Sequence, residues 1–282
     1  TEGGSLLTAA AANVAAGARD EPGPPVFASL SGGLARLVET LAERADFTVR
    51  TSAAVRAIRR TAISPNGGGF SITLGPVPAA EELFADAVVL ATPAAKSATL
   101  LAGVAPVAAA ELAGIDTASM AIVTLAFTGL PVGSLPAGSG ILIPNVEGLD
   151  CKAMTFSSQK WPGVGAESGV LLLRASLGRA GEEWVLQRED AELVEKVRAE
   201  LAAITGLRAE PVDWHVQRWG GALPQYAVGH LQRVARIRAA VAEVPGLAVC
   251  GASYDGVGIP ACIASAHTAA DRVLSALAGP AQ

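Results

Sequence analysis

The sequence predicts a fold that mixes α/β and α+β character: a strand–turn–helix unit closes the chain and an antiparallel sheet fills its middle. Three observations lead there. Residues 247–250 are a short apolar run, long enough for a buried strand, followed by Gly251, Gly256, Gly258 and then Pro260. Beyond Pro260, which suits the first turn of a helix, Ile263, Ala266, Ala270, Val273, Leu274 and Leu277 recur at helical spacing. Between residues 119 and 218 most of the apolar runs have strand length, so they are read as one antiparallel sheet.

In chain order, residues 6–18 are alanine-rich and predict a helix, which residues 20–25 (Asp-Glu-Pro-Gly-Pro-Pro) break as a linker. Residues 26–33 lead into a second helix, with Ser31 and Gly32 at the cap and Leu34, Leu37, Val38 and Leu41 on one face. Residues 47–60 alternate and predict a strand in which Val55 points inward. Residues 64–69 (Ser-Pro-Asn-Gly-Gly-Gly) form a hairpin turn and residues 70–74 pair back. Residues 87–92 make a buried strand ended by Pro93. Two short helices divided at Pro106 follow over 96–112. The sheet strands are then read over 119–127, 140–144, 151–157, 170–177 and 213–218. A long amphipathic helix spans 184–205, with Val185, Leu193, Val197, Leu201 and Ile204 on its apolar side. Residues 233–242 are helical up to Pro245-Gly246.

Composition narrows the function. The 282 residues suit one large domain or two small ones, and the net charge of −5 with no basic stripe argues against a nucleic-acid partner. Cys151, Cys250 and Cys262 have neither disulfide nor metal spacing and read as reduced core thiols of a cytoplasmic protein. Residues 1–16 lack the basic start of a secretory leader, and the longest uncharged run is interrupted by proline and glycine, so a soluble chain is expected. The three histidines are scattered. No metal site and no catalytic side chain is assigned.

Strand, glycine turn and helix together aim backbone N–H groups and the positive end of a helix at negative charge. Gly256-x-Gly258-x-x-Ala261 also matches a relaxed dinucleotide fingerprint. That fingerprint needs a βαβ unit and an acidic residue about 20 positions on, and a single helix follows here.

The longer motif Gly-Ala-Ser-Tyr-Asp-Gly-Val-Gly-Ile-Pro-x-Cys-Ile, over 251–263, resembles the carboxy-terminal flavin motif of the protoporphyrinogen/coproporphyrinogen oxidase family. It departs at Ala261, where an acidic residue is usual, and at Ala266, where glycine is usual. Further motifs follow that family in order: Phe-x-x-Leu-x-Gly-Gly at 27–33, Gly-Ser-Gly-Ile-Leu-Ile-Pro at 138–144, Thr-Phe-Ser-Ser-Gln-Lys-Trp-Pro at 155–162, and Gln-Arg-Trp-x-x-Ala-Leu-Pro-Gln-Tyr-x-x-Gly-His at 217–230. The resemblance covers residues 25–276 and is to the carboxy-terminal part of the family, since no amino-terminal Gly-x-Gly-x-x-Gly unit is found.

The resemblance implies part of a two-dinucleotide-binding FAD domain over 1–93, a substrate domain over 94–225, and a return to the FAD domain over 226–282. FAD is the implied cofactor, contacted by Gly251, Val257, Gly258 and Ile259, with Trp219 near the flavin or pocket mouth and the backbone of Val55 at the adenine end. The implied substrate is a porphyrinogen, coproporphyrinogen III or protoporphyrinogen IX, oxidised with dioxygen in haem biosynthesis. Its pocket would take apolar walls from Met120, Ile122 and Ile141 and carboxylate partners from Lys160, Arg174 and Arg218. His230 reads as a structural histidine beside the site. A peripheral membrane contact, an absent amino-terminal half and a homo-oligomer stay open as partners. So do two other readings: a related amine oxidase or carotenoid desaturase, and a non-catalytic partner subunit, which flavin absorbance would separate.

Overall fold

The computed structural model describes residues 28–62, 68–130, 133–161 and 163–278. The helix expected over 6–18, the linker at 20–25 and most of the hairpin turn at 64–69 lie outside them. The chain divides into two units, Thr1–Val49 and Arg50–Gln282. The first carries helix α1 (Ala35–Arg44). Its N-cap is Leu34, with no side-chain cap, so Ser31 does not play the expected part, and none of its residues is buried.

The second unit opens with an antiparallel meander: β1 (Val55–Thr61), β2 (Gly69–Leu74) and β3 (Glu81–Ala85). The strand is shorter than the expected 47–60. Residues 47–54 alternate, but β2 ends its pairing at Val55↔Leu74, and the ladder cannot extend without a partner. Val55 is exposed rather than inward. The strand β3 is not signalled by its sequence, Glu-Glu-Leu-Phe-Ala. It is fastened from outside: Thr73 Oγ1 donates to Glu82 at 2.8 Å, Ser71 donates to the same carboxylate, and Arg50 pairs with Glu81 at 2.7 Å.

Strand β4 (Val88–Leu90) leads through Pro93 into α2 (Ala94–Leu101), and α3 (Pro106–Ala113) starts on proline, whose missing N–H is no loss in a first turn. Then come β5 (Thr117–Phe127), β6 (Gly140–Leu142), β7 (Cys151–Thr155), the one-turn α4 (Ser157–Lys160) and β8 (Leu171–Leu177). The helix expected over 184–205 is broken. A 3₁₀ turn, Glu183–Gln187, precedes α5 (Asp190–Thr205), which begins with Asp190 and Glu192 at its positive end and stops at left-handed Gly206. Strand β9 (Asp213–Pro224) runs six residues past the expected 213–218. It is followed by α6 (His230–Ala242), β10 (Leu247–Val249) and α7 (Ile259–Ala278).

Two cores result. Strand β10 pairs parallel with β4, Leu247↔Val88 to Val249↔Leu90. Leu247 and Val249 face a core built with Ile58, Phe70, Leu101, Leu112, Ile237 and Val241. Ala248 and Cys250 face the other way, onto Ala269 and Val273 of α7. Strand alternation therefore gives one short strand two buried faces, as a parallel pair requires. Helices α2 and α3 belong to this first core. The stripe that α7 buries is Ser265, Ala269 and Val273; Ile263, Leu274 and Leu277, expected on the apolar face, are exposed. The small residues let the helix lie close on β10, and Ser265 Oγ accepts a hydrogen bond from Gly251 N–H at 3.2 Å.

The second core lies on one face of a five-stranded antiparallel sheet ordered β6-β7-β8-β5-β9. Val123, Leu125, Phe127, Met154, Leu173 and Leu177 pack there against Leu193, Val197 and Leu201 of α5. Within it Glu200 is buried, and its carboxylate accepts the N–H groups of Asp150 and Cys151, each at 2.9 Å, with Lys196 at 3.5 Å. Burial alone would raise this carboxyl; the hydrogen bonds from Cys151 and Asp150 and the Lys196 charge outweigh it and hold the group below its ordinary value of 4.5. Burial first, and then the same carboxylate, push the Cys151 thiol up, so it stays protonated.

Glu200→Gln should lower the unfolding free energy by roughly 1–3 kcal/mol, since a charged acceptor of two backbone donors is lost. Urea unfolding followed by circular dichroism reads this, and an unchanged midpoint would show that the 150–151 turn needs no anchor. Because the folded carboxyl is depressed, its contribution is complete above pH 4.5 and is lost as pH falls through the folded value, so wild type and variant should converge in acid.

Candidate functional site

Two features of the second unit carry the expected residues. The first is the turn between β10 and α7. It leaves the sheet at Cys250, whose N–H bonds Leu90 O at 3.0 Å. Gly251 begins the turn at φ +113°, and Gly256 sits at φ +147°, where an added Cβ would meet the Ala261 Cβ at 3.0 Å. Gly256 is thus required by the chain's own backbone and packing. Gly258 is not. Its backbone lies outside the left-handed region, and an added Cβ would find nothing nearer than Pro260 Cδ at 3.8 Å. Beside it, Val257 and Ile259 are 53% and 44% exposed. The tip of the turn is thus a smooth apolar ledge with spare room at Gly258, set at the N-terminus of a 20-residue helix whose first N–H groups have no partners within the helix.

The flanks of this ledge are tightly held. Tyr226 donates to Ala252 O, His230 Nε2 lies 3.2 Å from Tyr254 O, and Arg238 pairs with Asp255, with Nη1 at 2.9 Å from Oδ1. The Arg238–Asp255 pair is invisible to motif reading. Its signal is that Asp255 is the one carboxylate between Val244 and Ala270. The Tyr254 ring is buried in the first core, and burial pushes its phenol up to about 12. Its hydroxyl lies beside Ser97 without a well-formed hydrogen bond, while Ser97 donates to Thr92 O at 3.1 Å.

The second feature is the face of the five-stranded sheet turned away from α5. Cross-strand register decides which side chains share it. Met120 stands opposite Trp219, Ile122 opposite both Ser176 and Gln217, and Thr124 opposite Arg174 and His215. Arg174 also faces Thr155 across β7. Met120, Ile122, Arg174 and Trp219 therefore come together on one face, and Trp219 is 51% exposed there. Ile141 and Arg218 turn to the opposite side. Ile141 packs on the second core, and Arg218 donates to Leu186 O at 3.0 Å and Arg188 O at 2.6 Å while pairing with Asp190. Lys160 ends α4, with Nζ 5.6 Å from the centre of the Trp161 ring. Val55 stands apart, at the start of the three-stranded sheet. Strand β9 carries the chain from Trp219 on the open face to Tyr226 against the turn.

An apolar ledge with a gap at a glycine, capped by a helix N-terminus, fits a flat aromatic group with an electron-rich edge. A sheet face that sets Met120, Ile122 and Trp219 beside hydroxyl and amide groups and one arginine fits a larger body with apolar surface and a carboxylate. Among the described residues no cluster of His, Cys, Asp or Glu could hold a metal ion, and no helix is long and apolar enough to cross a membrane.

The chain is similar to known proteins along most of its length. The family model described as flavin containing amine oxidoreductase matches residues 1–274. The coproporphyrinogen III oxidase of Mycobacterium bovis is 37% identical over 255 residues, which are 90% of this chain and 52% of that protein. The coproporphyrinogen III oxidase of Bacillus subtilis is 32% identical, over 89% of this chain and 52% of its own length. A solved structure from an Exiguobacterium species, provisionally named a protoporphyrinogen oxidase, superimposes with a TM-score of 0.76 at 31% identity, over 89% of this chain and 52% of that one. The chain spans about half the length of the curated relatives it matches.

Replacing Tyr254 by Phe should raise stability by about 1 kcal/mol, because a buried hydroxyl without a good partner is removed while the ring stays. A lower unfolding midpoint in urea would show that Ser97 or an internal water satisfies the hydroxyl.

Proposed function

Because the chain belongs to the flavin containing amine oxidoreductase family, we propose that it is the flavin-facing and substrate-binding part of an FAD-dependent porphyrinogen oxidase of haem biosynthesis. The reaction is the oxidation of coproporphyrinogen III or protoporphyrinogen IX to the porphyrin, with dioxygen as the acceptor. Coproporphyrinogen III is preferred. It carries more carboxylates, which suits a face bearing Arg174, and it gives its name to the bacterial relatives. The observation that carries the proposal is the ledge at Val257, Gly258 and Ile259, where a glycine stands that neither backbone nor packing demands.

FAD, when bound, supplies the two-electron redox chemistry. The residues of this chain bind and orient. Val257, Gly258 and Ile259 offer apolar contact to the ring, and the N–H groups opening α7 favour negative charge at its edge. The backbone of Val55 meets the adenine end. Met120, Ile122 and Trp219 form the floor for the macrocycle, with Arg174 and Lys160 as carboxylate partners. Ile141 and Arg218 act from the reverse side of the sheet as its supports, Arg218 by tying β9 to residues 186–190. The β4–β10 pair supports a cofactor domain interrupted by a substrate domain. The first core extends through α3, so the interruption is set at β5 to β9 rather than from residue 94.

The purified chain, mixed with FAD and desalted, should keep the yellow flavin absorbance and then oxidise coproporphyrinogen III, seen as porphyrin fluorescence. A colourless protein would overturn the reading for this chain. Gly258→Val should weaken FAD binding by about tenfold or more, a loss of roughly 1.4 kcal/mol, with the melting temperature unchanged; equal retention would move the flavin elsewhere. Arg174→Leu should weaken coproporphyrin binding, read by quenching of tryptophan fluorescence, by roughly tenfold, the worth of one charged hydrogen bond.

A further inference from the structure

We propose that Tyr226 and His230 are positioning residues for the flavin-facing ledge: the stacked pair fixes the backbone of residues 252–254, so that Val257, Gly258 and Ile259 are already in place when the cofactor arrives. This rests on the reading of that ledge as the flavin contact.

The geometry is specific. The two rings are stacked, with centroids 4.1 Å apart and planes 12° from parallel. His230 is buried at the first position of α6, and its Nε2 faces Tyr254 O at 3.2 Å. A carbonyl only accepts, so Nε2 carries the hydrogen. The Tyr226 hydroxyl donates to Ala252 O. The hydroxyl thus ties one residue of the turn, and the imidazole holds another two positions on. Burial raises the Tyr226 phenol more than the Gly256 N–H lowers it, so the group remains a donor at neutral pH.

Neither strand nor helix needs this clamp. Strand β10 is held by its pairing with β4, and α7 by Ala269, Val273 and the Ser265–Gly251 hydrogen bond. What the clamp restrains is the loop between them, which contains Gly251 and Gly256 and is held besides by the Arg238–Asp255 pair and the buried Tyr254 ring. Fixing a backbone residue costs conformational entropy, and a surface ordered in advance does not meet that cost on binding. Tyr226 lies two residues after β9, which carries Trp219. The strand on which the substrate floor is proposed thus leads the chain to the clamp.

The test uses Tyr226→Phe, which removes one oxygen and keeps the ring, and His230→Ala beside its donor-retaining counterpart His230→Gln. Hydrogen exchange of the chain without FAD is followed in the peptide covering 250–260 and, as an internal control, in the β8 peptide covering 171–177. FAD affinity and the circular dichroism of the bound flavin are then measured. Tyr226→Phe and His230→Ala should speed exchange in 250–260 by up to about tenfold, the worth of one hydrogen bond, and leave 171–177 unchanged. Both should weaken FAD binding and alter the flavin dichroism, with partial rescue in His230→Gln. Unchanged exchange at 250–260 would overturn the clamp. Faster exchange with wild-type FAD affinity and dichroism would overturn its role in positioning. A wild-type chain that retains no FAD would instead overturn the reading of the ledge beneath both.

Discussion

The structure depends on three residues of β4 lying beside three residues of β10. Val88–Leu90 and Leu247–Val249 come from distant parts of the chain, and their parallel pairing is extended at its ends by Val88 N–H to Gly246 O at 2.8 Å and Cys250 N–H to Leu90 O at 3.0 Å. A parallel pair cannot be closed by a tight turn and needs a crossover. Here the crossover is everything from α2 to α6, including the entire five-stranded sheet. Because β10 is covered on both faces, by the first core and by α7, the turn that leaves it starts from a fixed point. The ledge at Val257–Ile259 inherits its position from that pairing.

Much of this was legible in the sequence where a run of residues answers to one physical demand. The strands over 119–127, 151–157 and 170–177 stand out as apolar runs of strand length, as a sheet packed on a core requires. Pro106 divides two helices because proline is tolerated only in a first turn. The glycine turn was visible because its residue types are unusual. Elsewhere the signal was absent or ambiguous. Strand β3 is charged and exposed and owes its place to Ser71, Thr73 and Arg50, which are distant in sequence. An alanine-rich helix has two plausible apolar faces, and α7 buries the one with Ser265, since closeness to β10 matters more there than side-chain bulk. The partition of site residues between sheet faces depends on register. Met120 and Arg174 share a face while Arg218, one residue from Trp219, is committed to the other.

The polar groups divide into those that hold the scaffold and those that face solvent. Glu200 serves the 150–151 turn, Arg179 donates to Leu149 O and Cys151 O, and Arg218 serves residues 186–190. Such groups are satisfied within the fold, and their burial makes the second core rigid. The thiols follow the same division. Cys151 and Cys250 are buried and pushed up, chiefly by desolvation, so they act as small apolar side chains rather than nucleophiles. Arg174 is different: it stands exposed on the sheet face turned away from α5, with threonines across both neighbouring strands.

The register pairs Thr117, the first residue of β5, with Pro224, the last of β9. The sheet is therefore entered and left at neighbouring positions. It is a cassette on a two-stranded neck, and chains whose ends meet in this way tolerate insertion into a host fold. An ancestor could exchange or reshape the cassette while the neck kept the host's packing intact. Sequence change would then be concentrated between residues 117 and 224, on the face without α5, and the β4–β10 pair could stay nearly constant.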